Sequence, residues 1–256
     1  MRYIIYIMKN LLSIVVLAML VISCKKEDSP VIMEDSPVII EDSKINLMIE
    51  TVVNGNKIVK NTEYISKKDT FSITQLRYYI SNVTLINSNN NQRTVIPKSY
   101  LLFDLDNGGM NKFPLSLDKN VKFDKIEVSF GIDSVANHSI SHTEGDLDPS
   151  GNNGMIWTWN TGYKFIRFEG ETKTGNFIVH RGKDLNYTTI TLNASGDFKQ
   201  GNNYTIHIQA ELLALLNGTH KIDLDNATGH GGSGTKGALF QNAETDFLKI
   251  HHLGIQ

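Results

Sequence analysis

The sequence predicts an all-β fold: one antiparallel β-sandwich with long loops and a short C-terminal helix. Three observations carry this reading. Apolar and polar residues alternate along many short runs, the period of a strand with one buried face. Turn-forming residues break those runs at intervals. Helical periodicity is nearly absent.

Taken in order, Ile45, Leu47, Ile49, Thr51 and Val53 alternate with mostly polar neighbours, and Asn54-Gly55-Asn56 then supplies a hairpin turn. Further strands are expected at Phe71 to Leu76, Tyr78 to Ile86, Tyr100 to Leu105 and Val121 to Ile132. Four more follow at Tyr163 to Phe168, Phe177 to His180, Tyr187 to Asn193 and Tyr204 to Ala210. Turn residues separate them at Ser88 to Gln92, Asp106 to Gly109, Gly170 to Gly175 and Ser195 to Gly201. Such a rhythm of short strands suits a sandwich. Glu211 to Leu216 reads as a single helical turn stopped by Asn217-Gly218, and Ala238 to Ile250 as a short C-terminal helix. Two long polar loops remain, Asn137 to Gly154 and Asn226 to Gly237. Long loops in a compact domain are commonly functional.

The first residues read as a targeting segment. Arg2 and Lys9 precede an uncharged apolar run from Leu11 to Ile22, too short to span a bilayer comfortably. Val21-Ile22-Ser23-Cys24 has the form of a bacterial lipobox, and Cys24 is the chain's single cysteine. The expectation is a lipoprotein signal peptide over 1–23, lipidation of Cys24, and a membrane held through a lipid anchor. That places the protein in a Gram-negative envelope, on the periplasmic or outer face of the outer membrane. Residues 24–43 repeat Glu-Asp-Ser-Pro-Val-Ile and read as a flexible acidic spacer. Residues 44–256 are the sandwich domain. The chain of 256 residues carries 25 basic and 27 acidic residues, a mildly acidic balance that argues against nucleic acid as a partner. With Cys24 lipidated, no disulfide and no thiolate metal site remain.

Several motifs resemble one family. Trp157-Thr158-Trp159-Asn160-Thr161-Gly162-Tyr163 is similar to the W-x-W-N-x-G-Y block of the MbnP-like family, copper-binding proteins associated with methanobactin gene clusters. Leu76-Arg77-Tyr78-Tyr79-Ile80-Ser81-Asn82-Val83, Phe130 to Asp133 with Asn137, Gly145 to Pro149, and Phe177 to His180 resemble further blocks of that family, in order. The resemblance runs from about Ile45 to the C-terminus. It implies copper held by histidines together with a kynurenine made by oxidising a tryptophan, and a dihaem cytochrome c peroxidase-like partner that performs the oxidation. Trp157 or Trp159 is then the modified residue.

The residues leave the ligand set open. On an extended segment Met155, Trp157 and Trp159 share one face. Imidazole suits copper and a thioether favours its cuprous state. His180 closes a strand, His230 sits in the glycine-rich loop, and His252 matches the family's final histidine. The expected metal ligands are therefore His180, His230, His252 and Met155. His207 alternates with Thr205 and Gln209 on a polar face and reads as a surface residue, as does His220 in its turn. Asp146, Asp148 and Ser150 before Gly151 have the alternate-residue spacing of a calcium loop, although Trp157 stands where its glutamate belongs. No hydrolase or phosphate-binding motif is present, so the chain reads as a binding protein and not an enzyme. The rival reading is a surface β-sandwich module that binds glycan or protein.

Overall fold

Ile45, Leu47 and Ile49 fall on one side of β1 (Ser43–Val53) and are fully buried, as their alternation requires. Lys44, Asn46, Met48 and Glu50 face the other way. The same logic builds the rest of this computed structural model, which describes residues 42–139, 141–142, 144–151, 154–158, 162–227 and 235–255. They belong to a unit that begins at Ile40. Cys24, the signal peptide, nearly all of the spacer, Trp159 and His230 lie outside the described residues.

The chain continues through β2 (Asn56–Lys57), β3 (Glu63–Ile65), β4 (Thr70–Asn87), β5 (Gln92–Val95), β6 (Tyr100–Asp104), β7 (Met110–Leu117) and β8 (Val121–Phe130). A four-residue helix, α1 (Ser134–Asn137), precedes β9 (Lys164–Thr172), β10 (Asn176–Gly182), β11 (Thr188–Phe198) and β12 (Asn203–Glu211). The short helices α2 (Leu212–Asn217) and α3 (Ala238–Ala243) lead to β13 (Leu248–Ile255). One sheet runs β13-β12-β1-β2, with β7 also on β1. The larger sheet runs β10-β9-β4-β8-β11, with β3, β5 and β6 also paired to β4. All pairs are antiparallel except β1 with β12. The result is the all-β sandwich that the alternation predicts.

The core lies between the sheets. The Thr51 and Tyr78 hydroxyls meet at 2.8 Å, joining β1 to β4. Phe198 stacks on Tyr204 with ring centroids 4.0 Å apart. Phe130, Phe240 and Phe247 cluster with centroids about 5 Å apart, so α3 plugs one end of the core. Among the described residues no helix is long and apolar enough to cross a membrane.

Several elements differ from the sequence expectation, among them the short strands β2, β3 and β5. The two strands expected over Phe71 to Leu76 and Tyr78 to Ile86 are one strand of 18 residues, Thr70–Asn87. Register shifts between Ile73 and Gln75 and between Ser81 and Thr84 let it bend without stopping. The C-terminal helix ends at Ala243, and the chain then re-enters the first sheet as β13. β7 is an added strand; Pro114 within it made the run unlike a strand, and it pairs only with β1.

Candidate metal centre

Tyr78 points into the core, so Arg77 and Tyr79 point to the outer face of the large sheet. The register places Arg77 opposite Arg167 of β9, and Arg167 opposite His180 of β10. Side chains directly opposite share a face. The outer face therefore carries a row of charge: Arg77, Arg167, Glu169 and His180. Arg77 donates from Nε to Asp104 at 2.8 Å and from Nη2 to Asp106 at 2.9 Å. Glu169 Oε1 accepts from Arg167 Nε at 2.5 Å and meets His180 Nε2 at 2.6 Å. Burial pushes the Glu169 carboxyl up, but the bonds from Arg167 and His180 outweigh it and hold it below the usual glutamate range. His180 is 8% exposed, so its ring is held by Glu169 rather than by solvent.

The segment carrying Met155 and Trp157 folds against β9. Lys164 N donates to Met155 O at 2.6 Å, and Ile156 bridges to Tyr163. Lys164 Nζ donates to the carbonyls of Gly154 at 2.6 Å and Ile156 at 2.8 Å, and lies 4.9 Å from the centre of the Trp157 ring. Burial, and then the charge of Arg167, lowers the Lys164 pKa. Met155 is fully buried and Trp157 nearly so. The indole Nε1 donates to Tyr163 O at 3.1 Å. Gly182 makes room for it. A Cβ there would sit 3.0 Å from Trp157 Nε1 and 2.3 Å from Tyr163 O. Trp157 is thus packed on the strand that carries His180, two residues away from it.

The remaining motifs buttress this corner. Tyr163 donates its hydroxyl to Leu147 O at 2.6 Å, and Tyr79 donates to Asp146 O at 2.9 Å. The two rings meet edge to face at 5.9 Å. Tyr163 N donates to Asn137 Oδ1 at 2.9 Å. Asp184 accepts from Ser134 at 2.6 Å and Asn137 at 2.7 Å, and meets His138 Nε2 at 2.8 Å. Burial pushes its carboxyl up, but these three bonds hold it below the usual range. Asp133 caps α1 through the amides of Val135 and Ala136 and accepts from Asn82 and Tyr100. Asn137, His138, Trp157, Tyr163, Lys183, Asp184 and Leu185 line a surface cleft that reaches the indole.

The structure brings Met155, Trp157 and His180 to the β9–β10 region. It does not bring His252 there. His252 stands opposite His207 on the outer face of the other sheet, because β13 is a strand. The calcium-loop residues also have partners of their own. Asp146 Oδ2 accepts from Leu102 N at 2.7 Å, and Asp148 Oδ1 accepts from the amide and hydroxyl of Ser150 at 2.8 Å. These carboxylates serve β6 and a local turn, and the acidic group close enough to share an ion among the described residues is Asp69, Asp223 and Asp225 instead. His207 is not a surface residue; neighbouring strands leave it 9% exposed. Sequence reasoning missed Glu169 and Lys164. Their alternation was visible, but only the cross-strand register shows which groups they face.

None of the curated proteins matches this chain. A solved structure, MbnP from Methylosinus trichosporium, resembles it at a TM-score of 0.47 and 13% identity, over 77% of this chain and 83% of that one. The family model of MbnP matches residues 42–235, most of the chain and all the buttressing motifs of the β9–β10 corner. The chain belongs to the MbnP family.

Proposed function

We propose that this chain is a copper-binding protein of the cell envelope, tethered by a lipid on Cys24, and not an enzyme. His180 and Met155 supply protein ligands, and Trp157, oxidised to kynurenine by a dihaem peroxidase partner, supplies another. The observation that carries this reading is the packing of the Trp157 indole on Gly182, two residues from His180. Imidazole and thioether together suit copper and favour its cuprous form when it is bound.

The chain's own residues supply the preorganisation. Glu169 meets the buried His180 ring at 2.6 Å, the carboxylate support that orients metal-binding imidazoles. Lys164 pins the carbonyls on either side of Met155, so the thioether is presented from a fixed backbone. The cleft beside Asp184 opens onto Trp157 and gives a partner a route to the ring.

The test is metal analysis and intact mass of protein purified from its native envelope, beside Trp157→Phe and His180→Ala. Wild type should carry stoichiometric copper and the mass change of one carbon lost and one oxygen gained. Trp157→Phe should lack the mass change and lose copper. His180→Ala should lose copper with the fold intact by circular dichroism. Unmodified, copper-free wild-type protein made with its partner would overturn the reading.

A further inference from the structure

We propose that the outer face of the smaller sheet holds a second metal site, for a divalent first-row transition ion such as Zn(II) or Cu(II), built from His207, Glu50 and His251. It lies on a different sheet from the β9–β10 corner and does not depend on a modified tryptophan.

The site rests on a bulge. The β12–β13 register pairs His207 with His252 and then Ile208 with Ile250, so His251 is the extra residue. Strict alternation would place His251 and His252 on opposite faces. A bulge sets two residues against one and re-aims them. The His251 ring accordingly packs edge-on against His207, with centroids 4.7 Å apart. His252 stays directly opposite His207 in the ladder. On the other flank, the parallel register sets Met48 opposite His207 and Glu50 opposite Gln209.

His207 has an unmet need. Its Nε2 is buried and makes no hydrogen bond. Glu50 Oε2 lies 3.2 Å away but out of line, so the contact is close without being a hydrogen bond. Glu50 is itself steadied by Gln209, which donates to the same oxygen at 2.9 Å. A buried, unpaired polar atom is costly and calls for an explanation. The separation supplies one. Two ligands about 2.0–2.2 Å from a tetrahedral zinc stand roughly 3.3 Å from each other. Nε2 and Oε2 are spaced as neighbouring ligands of one ion. As they stand the three do not all bring a ligand atom within 4.8 Å of one another, so the exposed His251 side chain must turn to complete the set. His252 folds back over Gly254, where a Cβ would come within 2.9 Å of its Nε2. That leaves the fourth position to water or to His252.

The test uses chelator-stripped chain in the His180→Ala background, which removes the site proposed for copper above. Zn(II) and Cu(II) are titrated separately against a chromophoric chelator. One equivalent of either ion should bind and raise the melting temperature. His207→Gln should weaken it by more than the roughly 10- to 100-fold that loss of a supporting outer-sphere partner costs. His251→Ala should do the same, and because His251 is exposed this variant keeps its fold. His252→Ala should have the smallest effect of the three. Absence of binding, or binding unchanged in His207→Gln and His251→Ala, would overturn the site.

Discussion

His180 and His207 occupy comparable places with opposite outcomes. Each sits on the outer face of a sheet, nearly buried, beside a glutamate. Glu169 meets His180 in line at 2.6 Å and also takes Arg167. Glu50 stands 3.2 Å from His207, misaligned, and spends itself on Gln209. One imidazole is locked by its neighbours, and the other is left with an unpaired nitrogen. Burial alone therefore does not define a histidine's role. The geometry of the adjacent carboxylate does.

The largest effect should come from breaking the satisfied face at its deepest point. Arg77 and Asp104 are an ion pair with side chains only 9% and 8% exposed. Arg77→Met strands a buried carboxylate and should cost about 3–5 kcal/mol in a denaturant melt. Replacing both partners with apolar residues should recover much of that loss, since desolvation then disappears with the charges.

A smaller effect is expected at Glu169. Glu169→Gln keeps the shape but gives up two charge-assisted bonds, and with the carboxylate 22% exposed the cost should be about 1 kcal/mol. Its pH signature is more informative than its size. The Glu169 pKa is lowered in the fold, so its contribution is present above the ordinary glutamate pKa and is lost as pH falls through the folded value. The wild type should lose stability in that acidic window, and Glu169→Gln should flatten the slope.

The smallest effect sharpens the contrast. His207 has a lowered pKa, so the unfolded chain takes up its proton first as pH falls. Stability should be level above the ordinary histidine pKa, decline between that value and the lower folded one, and level off again. His207→Gln should remove this decline while leaving the Glu169 window untouched. Melting temperatures across both windows separate the two faces.

Much of the core was legible because strand burial has a period of two. Ile45, Leu47 and Ile49, or Ile206 and Ile208, declare their face without any partner. The errors arose where register, not period, decides. Arg77 looked like a break between strands, yet its partners Asp104 and Asp106 lie in a distant part of the sequence. Ala238 to Ile250 looked helical because its apolar residues blend across a real boundary, and the bulge at His251 hid the alternation of β13. The β9–β10 corner was visible only through resemblance. Gly182, which admits the indole, carries no sign in the sequence that another segment will approach it.

The parallel pairing of β1 with β12 also fixes an order of events. Lys44 meets Asn203, and Val52 meets Glu211, so the first strand finds this neighbour only after nearly all of the intervening chain exists. Loop closure over such a span is slow. Until then β1 is paired only on the β7 side, and its other edge is open to pairing with a second chain. A product cut short before Asn203 would carry that open edge permanently. β12 thus covers the edge of β1 that β7 leaves open, and a chain ending before Asn203 should scatter more light on refolding than the full chain.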